Sequence, residues 1–215
     1  MKYGVRNICL VLITNWSRVM KMDKPWYRRM FPRPQESVEP VRASVQSQAD
    51  AGEAEAQFSL GLRFANGAGN AQDYSQAAEW YLRAARQNHC LAQFNLGMMY
   101  SRGQGVQRNE DDAVAWILKA ANQGDAGAQF VLGIKLLRKS FEEMANAAVE
   151  SKIESYKWLH LSTAQGYGGS ENALHSLIFG MTHEAVTEGN QRAASFLARH
   201  SSQERTEQKS SASRE

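Results

Sequence analysis

Five histidines, at positions 89, 160, 175, 183 and 200, are the side chains here best able to hold a metal or shuttle a proton, and their spacing supports neither role. A zinc-binding helix sets two histidines four residues apart, with a glutamate between them as general base. His183-Glu184 supplies the start of that pattern and lacks the second histidine. No Gly-x-Ser-x-Gly turn presents a nucleophile, and no Cys-x-x-Cys pair offers redox or metal chemistry. Cys9 and Cys90 fall in different parts of the chain and make no disulfide framework; Cys90 reads as a small apolar residue beside a helix core. The expectation is a chain with no catalytic residue, no metal and no cofactor.

What does recur at a fixed interval is structural. Ala-Gln-Phe-x-Leu-Gly occurs at Ala56–Gly61, Ala92–Gly97 and Ala128–Gly133, each copy 36 residues after the last. Asp73-x-x-x-Ala77-Ala78-x-Trp80 returns as Asn109-x-x-x-Ala113-Val114-x-Trp116, and Ala84-Ala85 returns as Ala120-Ala121. A period of this length marks stacked supersecondary units that share one core. Four prolines, many alanines and no alternating β-branched runs make the units helical.

Each unit divides into two helices. Apolar residues at 56, 60 and 64, then at 92, 96 and 100, then at 128, 132 and 136 form one buried stripe per helix A. Gly61, Gly97 and Gly133 lie inside these helices, where glycine costs roughly 1 kcal/mol against alanine. Close approach of a neighbouring helix is the expected compensation. Gly67-Ala68-Gly69 and Gly103-Gln104-Gly105 end helix A; because they follow helices and not strands, they read as turns, not phosphate cradles. Asp73 and Asn109 read as N-caps of helix B, whose buried side is Ala77, Trp80, Tyr81 and Ala84, then Ala113, Trp116, Ile117 and Ala120. Asn88, Gly124 and Gly166 close the three B helices. In the third unit Trp158 follows Trp116 by 42 residues and the Gly-x-Gly turn is missing, so helix A is expected to run on through Phe141 and Met144 toward Val149. Thr182 reads as the N-cap of a last helix carrying Val186, Ala193, Phe196 and Leu197.

The flanks differ in composition. Residues 1–42 hold nine Lys/Arg against three Asp/Glu, so the remainder of a chain with net charge +3 sums to −3. No broad basic surface for nucleic acid is expected from it. Residues 1–48 read as a disordered, basic, proline-containing leader, with a signal-like apolar run at 5–14 that lacks a small-residue cleavage site. Within it Arg18–Arg33 mixes six cations with Trp26, Tyr27 and Phe31, a composition able to lie on an anionic membrane. A cytoplasmic protein is the expectation, with export as the alternative if 5–14 acts as a signal. Residues 201–215 are polar throughout and read as a disordered tail.

The order Ala-x-Ala-Gln-x-x-Leu-Gly, then Gly-x-Gly, then Ala-x-x-Trp-x-x-x-Ala-Ala-x-x-Gly closely resembles the Sel1-like repeat, a relative of the tetratricopeptide repeat, of bacterial type. Glu53–Asn88 and His89–Gly124 match almost throughout, and Asp125–Gly166 at both ends. Tyr156-Lys157-Trp158 with Met181-Thr182-x-Glu184 is similar to the family's C-terminal cap. The resemblance implies an all-α, right-handed α-solenoid over 49–200: helix-turn-helix repeats at 53–88, 89–124 and 125–166, and a helical cap at 167–200. It also implies a non-catalytic scaffold or adaptor, or a regulator placed at a membrane or envelope by the leader. One cysteine-rich branch, linked with penicillin binding, carries a cysteine pair in each repeat; this chain lacks those pairs, which weighs against a β-lactam hydrolase.

In such a stack helix A lines the concave face. Its stripe beside the buried one is Glu55, Phe58, Leu62 and Asn66, then Leu91, Phe94, Met98 and Arg102, then Gly127, Phe130, Ile134 and Arg138. The phenylalanines read as packing between repeats. Glu55, Leu62, Asn66, Leu91, Met98, Arg102, Ile134 and Arg138 remain as the candidate site for a peptide or partner helix with an acidic end. The recurring Gln57, Gln93 and Gln129 read as hydrogen-bonding to backbone or to a neighbouring repeat.

Overall fold

The computed structural model describes residues 45–67 and 71–212, so the signal-like run at 5–14 and the cationic stretch at 18–33 lie outside the described residues. The chain divides into Met1–Ser47 and Gln48–Glu215. Of the first, only 45–47 are described, as the start of a helical turn over 45–50. The second is a run of helices: α1 Ala54–Asn66, α2 Tyr74–Arg86, α3 Cys90–Arg102, α4 Glu110–Asn122, α5 Ala126–Ser140, α6 Ala145–Ala164, α7 Ser170–Ile178 and α8 His183–Ala212. Each packs on the next through α6, as helical hairpins in a stack must, and both α7 and α8 pack on α6. No strand occurs among the described residues.

The turns follow from the residues expected to make them. Gly67 and Gly103 take left-handed φ of 67°, and each donates its N–H to the carbonyl four residues back. The Asp73 carboxylate accepts from the N–H groups of Ser75 and Gln76, and Asn109 Oδ1 from those of Asp111 and Asp112, so two first-turn amides of each B helix are satisfied. Thr182 Oγ1 accepts from the Ala185 N–H at 3.3 Å.

Inside each hairpin the glycine of helix A touches its partner. A β-carbon at Gly61 would lie 2.7 Å from the Tyr81 ring, one at Gly97 2.6 Å from Ile117, and one at Gly133 2.7 Å from Leu159. The three glycines therefore set how closely the helices of each pair approach. Between hairpins the joint is polar. Gln57, Gln93 and Gln129 are buried, and their Nε2 atoms donate to the carbonyls of Ala49, Ala85 and Ala121, each eight residues back. Their Oε1 atoms accept from Gln87, Gln123 and Gln165 at 2.8, 2.7 and 2.9 Å. Each of those glutamines ends a B helix, so every hairpin is tied across its open end and to the helix before it. For Gln57 that earlier helix is the turn at 45–50. Ala49 is buried against Ala56, Leu60 and Trp80, and takes the place that Ala85 and Ala121 take in later joints. For the first hairpin, Ala49 thus plays the part that the ends of α2 and α4 play for the later ones.

The third hairpin departs from expectation. Helix A does not run through Phe141 and Met144; it stops at Ser140, whose Oγ donates to the Leu137 carbonyl, while Phe141 and Glu142 N–H groups turn back onto Arg138 and Lys139. Against 13-residue helices in the earlier hairpins, α5 has 15 residues and α6 has 20, joined by a shorter link. The insertion therefore lengthens α6 chiefly at its N-terminus. That extension carries Glu150, which together with Glu154 one turn on meets Arg192 of α8, and Tyr156 farther along α6 packs on Gly189 and donates to Asn190 Oδ1. Helix α8 continues to Ala212, over a polar run that contains neither glycine nor proline.

Candidate interaction surfaces

The repeat period brings the eight candidate positions to equivalent places on α1, α3 and α5, where they differ in exposure. Leu62 and Leu91 expose 41% and 47% of their surface. Asn66, Arg102 and Arg138 are exposed at the ends of their helices. Met98 and Ile134 are half-buried, Met98 packed against the core cluster that contains Ile117, Leu132 and Trp158 and Ile134 against the one that contains Leu159 and Leu177. Their side chains serve the core as much as any surface. The Glu55 carboxylate accepts from His89 Nε2 at 3.0 Å, and His89 stacks on Phe58 at 4.7 Å while its Nδ1 accepts from the Ala92 N–H. Phe130 meets Tyr167 at 5.4 Å, so Phe58 reaches the following hairpin and Phe130 the segment that leads into the cap.

Charge on this face is unbalanced. No carboxylate pairs with Arg102 or Arg138 among the described residues, whereas Lys135 on α5 is held by Ser101 and Glu110 of the preceding hairpin. Lys135 keeps the Glu110 carboxyl below the usual range, through its hydrogen bond first and its charge second. The face therefore offers two exposed leucines and two guanidiniums free to meet an anion.

A groove of about 530 Å³ lies elsewhere, between α4 and α6. Leu132 and Leu136 of α5 form its floor, and Phe196, Arg199 and His200 of α8 wall one side. None of the eight candidate residues lines it. The wall is fixed by Trp158 edge-on to Phe196 at 5.4 Å and by His200 Nε2 hydrogen-bonded to the Asn122 carbonyl. Of the tryptophans, Trp80 and Trp158 are buried as expected. Trp116 is only half-buried, and Lys119 Nζ covers its ring at 3.9 Å.

Chemistry-bearing groups do not converge. No cluster of three His, Cys, Asp or Glu side chains suited to a metal occurs among the described residues. Burial, with the Asp125 charge, pushes the Cys90 thiol up to about 11, and its Sγ lies 3.7 Å from the Ala120 carbonyl.

The comparisons agree with this geometry. The Sel1 repeat matches residues 54–89 and 90–125, the first two hairpins. The Sel1 repeat protein from Oxalobacter formigenes is 32% identical, with a TM-score of 0.51, over 62% of this chain and 96% of that one. Protein c5321, a protective antigen present in uropathogenic Escherichia coli strains and displaying an SLR fold, is also 32% identical, with a TM-score of 0.57, over 71% of this chain. The chain spans 32% of the length of that antigen. No curated protein matches. Proteins built from these repeats are generally interaction scaffolds. The glycine contacts, the glutamine joints and a match along almost the whole of the Oxalobacter protein have one explanation: this chain belongs to the Sel1 repeat family.

Proposed function

We propose that the chain is a non-catalytic scaffold or adaptor that holds a peptide or partner helix against the face shared by α1, α3 and α5. The observation that supports this reading is that Leu62 and Leu91 are exposed, and that Arg102 and Arg138, at positions equivalent by the repeat period, are exposed and meet no carboxylate among the described residues. Apolar side chains of a partner would cover the leucines, and an acidic group would take one or both arginines. The hairpin stack holds these positions before the partner arrives, so little ordering entropy is lost on binding. Asn66 and Glu55 border the same face. Met98 and Ile134 would contribute only their outward edges.

The test is affinity capture from source-cell lysate with the full chain and with Leu62→Glu/Leu91→Glu/Arg102→Glu, first shown by circular dichroism to keep its helix content. All three replaced side chains are exposed, so the fold should survive. A protein enriched by the native chain and lost by the variant supports the reading. Equal capture by both would remove this face from consideration.

A further inference from the structure

We propose that the groove between α4 and α6 is a second docking site, for a peptide segment that carries two apolar side chains beside a carboxylate. It shares no residue with the α1–α3–α5 face and does not depend on that reading. Its volume, about 530 Å³, falls in the range that encloses a few side chains of a ligand. Leu118, exposed at one edge, and the half-buried Leu136 and Val114 supply its accessible apolar surface, backed from the core by Leu132, Trp158 and Phe196.

Charge selects the occupant. The acidic residue at the rim, Glu154, is already held by Arg192 at 2.8 Å and by Lys157 at 3.2 Å. Lys157 in turn lies 4.2 Å above the Trp158 ring. Arg199 is different: its Nε donates to the Ser195 carbonyl, and no carboxylate reaches it among the described residues. Its terminal guanidinium nitrogens are therefore open to a bidentate carboxylate at the mouth of an apolar groove. The chain's own Arg18–Arg33 stretch, with six cations and one acid, has the wrong sign to fill it. A peptide with adjacent apolar and acidic residues has the right one.

A phage-displayed random dodecapeptide library panned on the full chain supplies the probe. Enriched peptides are then measured by fluorescence polarisation against the native chain, Arg199→Glu, Arg199→Lys, Leu118→Asp and Leu62→Glu/Leu91→Glu. The expected result is a shared acid next to two apolar residues. Affinity should fall roughly tenfold or more in Arg199→Glu and in Leu118→Asp, partly recover in Arg199→Lys, and stay unchanged in the α1–α3 double variant. Absence of enrichment, enriched peptides without a shared acid, or unchanged affinity in Arg199→Glu would overturn the proposal. Loss in the α1–α3 variant alone would overturn it too, while leaving the other face in place. Should Leu118→Asp unfold, the exposed Arg199 pair of variants still decides the matter.

Discussion

Replacing Gly97 by alanine should destabilise the chain, although alanine is the better helix former. The new β-carbon would lie 2.6 Å from Ile117 Cγ1, 3.0 Å from the Ala113 carbonyl and 3.1 Å from the Ile117 amide nitrogen. Ile117 is fully buried and β-branched, so its side chain has no free rotamer to swing into, and the other two atoms are backbone of α4. Restoring ordinary contact requires α3 and α4 to part by about half an ångström or more. Overpacking of this kind costs about 1–3 kcal/mol, against a helix-propensity gain of about 1 kcal/mol. The net loss expected is up to about 2 kcal/mol, or a fall in Tm of up to about 6 °C. Gly127→Ala in α5 is the comparison: its β-carbon would approach Tyr167 Cε2 at 3.4 Å and Asp125 Oδ1 at 3.3 Å, the latter held by its cap bond from the Ala128 N–H. These contacts are looser than those at Gly97, so that variant should change stability by less than about 1 kcal/mol. Urea unfolding followed by circular dichroism at 222 nm measures both. A Gly97→Ala midpoint at or above the native one would refute the close-approach reasoning.

The glutamine joint gives a second expectation. Gln93→Met keeps the side-chain volume and removes two donated bonds and one accepted bond, for a loss of about 2–3 kcal/mol in the same urea assay; a loss below about 0.5 kcal/mol would mean the joint contributes nothing. Arg192→Met should lower stability at pH 7 by about 1 kcal/mol by releasing Glu150, Glu154 and Glu188, and should flatten the acid response. The sign follows from Glu150, which the Arg192 hydrogen bond holds below its ordinary value of 4.5: its stabilisation is complete above that pH and is lost as pH falls through the lowered folded value. Urea midpoints at pH 7 and pH 3.5 for the native chain and Arg192→Met check both statements. Cys90, with its thiol pushed up to about 11 from 9.0, should react with iodoacetamide at pH 7.5 about a hundredfold more slowly in the native chain than in urea, read on the Cys90 peptide by mass spectrometry.

The hairpins were legible because their signals are local or periodic. Asp73 and Asn109 cap within three residues, and Gly61, Gly97 and Gly133 recur at the point where the paired helix crosses. Gln87 and Gln123, which complete the joint, also recur at 36 residues and were readable in principle, but they lie outside the Ala-Gln-Phe block and were missed. The end of helix A in the third hairpin was not readable. Phe141 and Met144 are 77% and 90% exposed, so the helix stops with neither glycine nor proline to mark it. The groove was invisible for a different reason: its walls come from α4, α5, α6 and α8, residues up to 86 positions apart, and α8 belongs to no repeat. On the candidate face, periodicity gave the positions but could not separate exposed Leu62 and Leu91 from Met98 and Ile134, which pack half-buried against core clusters.

Hydroxyl-radical footprinting of the complex recovered by capture, compared with the free chain, tests most directly the claim that α1, α3 and α5 present the scaffold's working face. Oxidation of Leu62 and Leu91 should fall several-fold on binding, while the exposed Leu197 on α8 stays unchanged. Undiminished oxidation of Leu62 and Leu91 in a complex that protects other residues would contradict the account.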